Sequence, residues 1–465
     1  MYRKKTHVHF VGIGGIGMSG IATILHYQGY PVSGCDLDLE QQSIKNLKKL
    51  GVPIAHGHNT KACQDESIDV VVYSSAVKPT SPEIINAQAR GIPTIPRALM
   101  LAELMRTKFS IAIAGSHGKT TTTSMASHIL IESKTDPTVI IGGHLKNISS
   151  NARLGKGDFL VAEADESDRS LLNLQATLAV VTNIDLEHLE TYKDLDDVKD
   201  TFKQFLNNLP FYGKAILCAD DPHIKSLLPM PHIKTVKYGI ESNLADLKAQ
   251  NIKLMPDHST FDVILKDKEL GSCYLNMPGK HNVLNSLAAT AVSLELGIAF
   301  STIAKALKSF KGIERRFMLK GTYKGTKIFD DYGHHPKEIE QTLIVAKKCT
   351  TKDLVVVFQP HRYTRTNKLW SEFISMFLNS GIDHLIVTDI YPASEDPIEG
   401  ITSENFVRAF EKFKPNFSVS YVPYESDFSS IRKNLSNKLQ DGNLLLLQGA
   451  GKVNNLADIL NNETP

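Results

Sequence analysis

Cysteine is scarce in this 465-residue chain, and its five copies, Cys35, Cys63, Cys218, Cys273 and Cys349, fall in no CxxC or finger-like spacing. That pattern argues against a disulfide framework and a structural zinc, and it points to a reducing compartment, the cytoplasm. Long apolar runs are missing too: nothing approaches the roughly 20 consecutive apolar residues of a membrane span. The basic-then-apolar start, Met1 to Leu25, is punctuated by glycines as a strand and turn would be, and it is not read as an export signal. Nor does one sign of charge dominate. Lys plus Arg number 52 against 50 Asp plus Glu, so no global field draws the chain to nucleic acid or to an anionic membrane. Anionic ligands must be held by local sites.

What is present is ordinary globular composition, 42% hydrophobic and 22% charged, at a length that suggests about three domains. Short β-rich runs alternate with helix-period stretches from end to end, the rhythm of parallel α/β sheets. Strands are predicted at His7–Val11, Asp69–Tyr73, Phe109–Ala114, Phe159–Ala162 and Leu178–Thr182, followed by an alternating, strand-like stretch over about 249–274 and a helix over Asn282–Leu296. Further strands at Lys327–Phe329, Leu354–Phe358, His384–Thr388 and Leu444–Leu447 give the last domain a doubly wound pattern. Boundaries near Arg106 and Arg316 divide the chain into residues 1–107, 108–316 and 317–465.

The sharpest local signal is Gly115-Ser116-His117-Gly118-Lys119-Thr120-Thr121, between a strand and a helix. Glycines let backbone N–H groups wrap an anion, the helix N-terminus adds partial positive charge, the Lys119 ammonium reaches β/γ-phosphates, and the Thr120 hydroxyl suits Mg²⁺. The loop reads GxxGKT, with Ile113 where a longer phosphate loop has its first glycine. ATP is the expected occupant.

Four more clusters end predicted strands. Glu163-Ala-Asp165-Glu166-Ser-Asp168 offers carboxylates where open α/β sheets bind ligands, and a hard cation prefers such oxygens. Asp165, Glu166 and Asp168 read equally well as a solvated loop. His188, in TNIDLEHLETY, taken alone is more often a surface histidine than a metal ligand. In the last domain, Asp330-Asp331-Tyr332-Gly333-His334-His335-Pro336 and His361-Arg362-Tyr363-Thr364-Arg365 follow strands. The two arginines suit a carboxylate or phosphate; a solvated face is the competing reading.

Near the N-terminus, Gly12-Ile-Gly14-Gly15-Ile-Gly17 is a GxGxxG turn, with Asp36 about 20 residues on. It implies a pyrophosphate at a helix N-terminus, belonging either to NAD or to a nucleotide-sugar. On this turn alone an NAD-dependent oxidoreductase stays open.

Taken in order, GIGGIGMSG, GSHGKTTT, EADESD, TNIDLEH, GKHNVLN, RRF, DDYGHHP and QPHRYTR resemble the Mur ligase family over essentially the whole chain. The resemblance implies a Rossmann-like domain for a UDP-sugar, a central P-loop-type ATPase with a parallel sheet, and a Rossmann-like C-terminal domain that helps bind an amino acid. It implies ATP-dependent ligation of L-alanine to the lactyl carboxylate of UDP-N-acetylmuramate through an acyl phosphate, in peptidoglycan biosynthesis, by a monomer or homodimer. Gly12, Gly14, Gly15 and Gly17 would then cradle the UDP diphosphate, with Asp36 and Ser75 as further contacts. Thr120 and Glu163 would hold one Mg²⁺, and Glu163 with His188 a second. Asn282 and Asn285 would approach adenine, Arg316 would touch ATP and Asp330 its ribose. Tyr332, His335, Arg362 and Arg365 would line the meeting point of amino acid and activated sugar acid. A relative that attaches a tripeptide to the same sugar acid in cell-wall recycling is the nearest rival; the run Ser167-Asp168-Arg169-Ser170-Leu171-Leu172 after EADE favours L-alanine.

Overall fold

The computed structural model describes residues 6–57, 64–74, 76–78, 80–145, 150–188, 191–393 and 395–462. It divides into two compact units, the first comprising residues 1–253, 259–276 and 280–311, the second 254–258, 277–279 and 312–465. Among the described residues, no helix is long and apolar enough to cross a membrane, and Cys35, Cys218, Cys273 and Cys349 are free thiols.

The first unit holds two sheets. In the N-terminal one, β1 (Val8–Val11), β2 (Val32–Asp36), β3 (Ile54–His56), β4 (Val70–Tyr73) and β5 (Thr94–Pro96) lie in the order β3-β2-β1-β4-β5. All these neighbours run parallel. The run Val-His-Phe-Val of β1 is buried throughout, as expected for a central strand covered on both faces. Strand order reverses beside β1, so the glycine turn leaving it opens at the crevice where such sheets take ligands.

The second sheet contains β6 (Phe109–Ala114), β7 (Thr138–Leu145), β8 (Ser150–Arg153), β9 (Phe159–Glu163), β10 (Leu178–Val181), β11 (Lys214–Cys218), β12 (Lys234–Gly239), β13 (Leu247–Leu254), β14 (Ser259–Leu265) and β15 (Lys268–Leu275). Their order is β15-β14-β13-β12-β11-β10-β6-β9-β7-β8. The stretch read as one alternating segment is thus three strands, and the helix after it spans Lys280–Glu295. Parallel register sets Ile113 of β6 opposite Glu163 of β9, and Ala114 opposite Val181 of β10. Three strand ends therefore meet at one edge, with β6 in the middle.

The second unit holds β16 (Met318–Tyr323), β17 (Thr326–Asp331), β18 (Leu354–Phe358), β19 (His384–Val387), β20 (Ser418–Tyr421) and β21 (Leu444–Gln448), ordered β16-β17-β21-β18-β19-β20. Only β16 is antiparallel to its neighbour. Alternation along β18 feeds two cores: Leu354, Val356 and Phe358 join Phe373, Phe377 and Phe406 on one face, and Val355 and Val357 join Phe428, Leu435 and Leu456 on the other. Apolar residues on both faces require helices on both faces, which is the doubly wound arrangement.

Candidate active site

The loop from Gly115 to Gly118 leaves β6 and enters the helix Lys119–Glu132. Gly115 has φ +133°, and a Cβ there would stand 2.0 Å from Thr182 Oγ1; Gly118 has φ +81°, and its Cβ would stand 2.5 Å from Asn285 Oδ1. Both positions thus need a residue without a side chain, for backbone conformation and for space. The end of β10 clamps the loop. Ser116 N–H donates to the Asn183 carbonyl at 3.1 Å, and His117 N–H to Asn183 Oδ1 at 2.8 Å. The Thr182 hydroxyl and the Asn183 amide both donate to the His117 carbonyl, at 2.6 and 2.9 Å. Asp185 N–H donates to Ser116 Oγ at 2.8 Å. The loop is preformed by its neighbours.

Lys119 begins the helix, and its ammonium bonds the Gly115 and Ser116 carbonyls and Glu166 Oε1 at 2.7 Å. Burial alone would push this lysine's pKa down; the adjoining Glu166 charge, with Asp165 and Glu187 further off, holds it above the ordinary value. It therefore carries its positive charge at any physiological pH.

Glu163, at the end of β9, accepts the Gly142 N–H at 2.9 Å and lies 3.3 Å from the Thr120 hydroxyl. Its packed surroundings raise its pKa, against the lowering effect of the Gly142 bond and Lys119. A hydroxyl and a carboxylate side by side are hard oxygen donors of the kind Mg²⁺ takes, so the pair fits such an ion. The structure groups His188 with other partners: its Nε2 lies 3.3 Å from Glu166 Oε1 and 3.6 Å from Glu187 Oε2. Those three side chains offer ligand atoms close enough to share a cation. Thr121 is buried in the first turn of the helix.

On the helix Lys280–Glu295, Asn285 Oδ1 accepts from the Thr122 hydroxyl at 3.3 Å, and Asn282 lies one turn before it. Both asparagines are buried. Asn285 is thereby a buttress of Gly118.

In the N-terminal sheet, Asp36 turns inward: Oδ2 accepts the Gly14 N–H at 2.8 Å and Oδ1 the Asp38 N–H at 3.1 Å. Its visible work is to brace the glycine turn, whose Gly12 has φ +77°. Gly15 caps the following helix Ile16–Tyr27. Gly17 packs directly against Arg97, whose Nη1 would lie 2.6 Å from a Cβ there. The Arg97 guanidinium also pairs with Asp165 at 3.0 Å, which, against the opposing effect of burial, holds that carboxyl below its ordinary value. Sequence reasoning passed over Arg97. Ser75 lies outside the described residues.

In the second unit, Asp330 is fully buried at the end of β17, 3.4 Å from Arg315 Nε. Burial pushes its pKa up to about 6, against the pull of Arg315. Its neighbour Asp331 is structural, accepting from the N–H groups of Phe317 and Gly333 and from the Gln448 amide. Tyr332 lies beneath the guanidinium groups of Arg315 and Arg316, and Arg316 is 3.5 Å from Glu338. His335 caps the helix Pro336–Cys349, its Nδ1 accepting from Lys337 N–H at 3.4 Å. His334, which sequence reasoning left unassigned, packs against both Tyr332 and His361 with ring centroids 5.6 Å apart. Arg365 reaches His361 Nδ1 at 3.2 Å. Burial, with nearby arginines, lowers the pKa of His334 to about 3 and that of His361 to about 4, so both rings are neutral at pH 7. Arg362 adopts φ +70° before a short helix, with Nε 4.0 Å from Glu395. Arg316, Tyr332, His334, His361 and Arg365 thus form one continuous series of contacts.

A phosphate loop with a charged lysine, flanked by carboxylates on adjoining parallel strand ends, defines a nucleotide-dependent phosphoryl-transfer site. Family models match nearly the whole chain: the Mur ligase family catalytic domain over residues 7–109, the Mur ligase middle domain over 113–293, and the Mur ligase glutamate ligase domain over 315–451. The chain belongs to the Mur ligase family. It is 49% identical to the UDP-N-acetylmuramate--L-alanine ligase of Syntrophus aciditrophicus, covering 98% of this chain and 93% of that one. The enzyme of the same name from Geotalea daltonii is 48% identical, over 97% of each chain. The crystal structure of UDP-N-acetylmuramate-alanine ligase from Thermotoga maritima superposes with a TM-score of 0.81 at 27% identity, over 98% of both chains. A murein peptide ligase from Psychrobacter arcticus shares the fold, with a TM-score of 0.72 at 24% identity over 99% of this chain and all of that one.

Proposed function

We propose that this chain joins L-alanine to the lactyl carboxylate of UDP-N-acetylmuramate at the expense of ATP, releasing ADP and phosphate, as a cytoplasmic step of peptidoglycan biosynthesis. Identity of 48–49% along nearly the entire length to ligases of that name supports the choice of substrates. The observation that carries the chemistry is the Lys119 ammonium, held over the phosphate loop at the edge where β6, β9 and β10 end. In this reading residues 1–107 take the UDP-sugar, 108–316 take ATP and 317–465 take the amino acid.

A free carboxylate resists amines because its leaving group would be oxide. Transfer of the γ-phosphoryl group to it gives an acyl phosphate, whose phosphate leaves once the amine of L-alanine has attacked. The protein supplies position and charge for this, and no nucleophile. Lys119 offsets negative charge gathering on the moving phosphoryl group. Backbone N–H groups at the start of the helix, from Gly118 to Thr120, would hold the β-phosphate region, those of Ser116 and His117 being engaged by Asn183, and Asn285 packs beside Gly118. Thr120 and Glu163 are the residues that would hold one Mg²⁺, and His188 a second; bound there, magnesium neutralises phosphate charge. Arg362 and Arg365 are the residues that would bind the carboxylate of the amino acid, and Gly12 to Gly17 those that would hold the diphosphate. An oxidoreductase reading rests on the glycine turn alone and leaves Lys119 and its carboxylates without a task.

The acceptor decides between this reading and tripeptide ligation. Purified protein with ATP, Mg²⁺ and UDP-N-acetylmuramate should release phosphate when given L-alanine, and at least about a hundredfold more slowly with the tripeptide, a discrimination within reach of a site that must leave buried polar groups unpaired for the wrong substrate. Preference for the tripeptide would reverse the assignment. His188→Ala should raise the Mg²⁺ concentration needed for half-maximal rate about tenfold, since loss of a group that binds or orients a cation costs on that scale. An unchanged Mg²⁺ dependence would remove His188 from the cation site.

A further inference from the structure

The three hydrogens of the Lys119 ammonium meet three acceptors: the Gly115 carbonyl at 2.6 Å, the Ser116 carbonyl at 3.0 Å and Glu166 Oε1 at 2.7 Å. An ammonium has no fourth donor, so it binds a phosphate oxygen only by giving one of these up. Two belong to the loop that wraps the lysine, and Glu166 is the charged one. Glu166 is itself fixed in place, its carbonyl accepting from the Tyr192 hydroxyl at 2.6 Å and from Arg169 N–H at 3.0 Å. Its side chain is 2% exposed. Oε1 also lies 3.3 Å from His188 Nε2, while Oε2 has no hydrogen-bond partner among the described residues. A buried carboxylate with a spare oxygen is costly to keep. The loop does not need it for shape, because Thr182, Asn183 and Asp185 already hold the backbone.

We propose that Glu166 is a positioning residue that keeps Lys119 retracted in the nucleotide-free enzyme and surrenders it to the phosphates on binding. The inference rests on the nucleotide reading of Gly115 to Thr121. Nucleotide then binds only to the fraction of molecules in which the ion pair has opened, and apparent affinity is reduced by that fraction. Removing the charge from Glu166 removes the competitor.

The test is calorimetric titration of the full-length protein and of Glu166→Gln with a non-hydrolysable ATP analogue and Mg²⁺, alongside ATP kinetics. Glu166→Gln should bind the analogue about tenfold more tightly, with KM for ATP falling and kcat not rising, because the tax on the competent state is lifted. A merely structural role would instead weaken binding and slow turnover together. Affinity that is unchanged or weaker in Glu166→Gln overturns the proposal, whereas failure of the unaltered protein to bind the analogue overturns the nucleotide reading itself. A crystal structure of the unaltered protein with the analogue gives an answer that does not depend on the variant folding. It should show Lys119 Nζ on a phosphate oxygen and off Glu166; Nζ still paired to Glu166 contradicts the proposal.

Discussion

Replacing Lys119 with alanine should lower kcat about a thousandfold, the scale on which an aimed charge acts on a developing anion inside a water-poor site. The ammonium is bound to two loop carbonyls and Glu166. Its charge is secure, since Glu166 holds its pKa up against the effect of burial. Binding of UDP-N-acetylmuramate should change little, because the glycine turn that would hold its diphosphate leaves a different sheet. Stopped-flow phosphate release and calorimetry with the sugar nucleotide separate the two. Near-normal turnover in Lys119→Ala would remove the lysine from the transfer step, and loss of sugar-nucleotide binding would mean that the two sites are not separate.

Gly115→Ala should be the most damaging single methyl group in the molecule's loop. A Cβ there would lie 2.0 Å from Thr182 Oγ1 and 3.0 Å from the Thr182 nitrogen, on a residue at φ +133°. Backbone strain and overpacking each cost about 1–3 kcal/mol, so a loss of about 3 kcal/mol in unfolding free energy is expected. The Thr182 hydroxyl that would have to move donates to the His117 carbonyl, so the loop's shape should go with it. Chemical denaturation measures the first effect and nucleotide binding the second. Thr182→Ala combined with Gly115→Ala should recover part of the stability by removing the clashing hydroxyl; no recovery would place the damage in the backbone conformation.

Much of this was legible in the sequence because the residues concerned sit next to one another along the chain. The apolar strand Phe109–Ala114, the glycines after it and the helix that follows define the phosphate loop locally, and a strand ending in Glu163 is as plain. What the sequence does not carry is which strand ends become neighbours. The order β10-β6-β9 brings Asn183 and Asp185 onto the loop and Glu166 onto Lys119, and these are contacts between residues dozens of positions apart. Glu166 therefore reads as one acid among several in a polar loop until the fold buries it. The paired histidines show the complementary difficulty. A proline at the first helical position marks the residue before it as a cap, and His335 does cap that helix; this signal was available and points to His334 as the imidazole that faces Tyr332 and His361. Asp36 is similar: its spacing from the glycine turn suggests a ligand contact, yet its carboxylate is spent on Gly14 and Asp38.

The central claim is that a phosphoryl group passes to a sugar acid which an amino acid then captures. It is tested most directly with ATP carrying an isotopic label in the γ-phosphoryl group and UDP-N-acetylmuramate carrying ¹⁸O in its lactyl carboxylate. With L-alanine present, one ¹⁸O should appear in the released phosphate for each amide bond formed. Amide formation with unlabelled phosphate, or phosphate release that ignores either acceptor, would contradict the account.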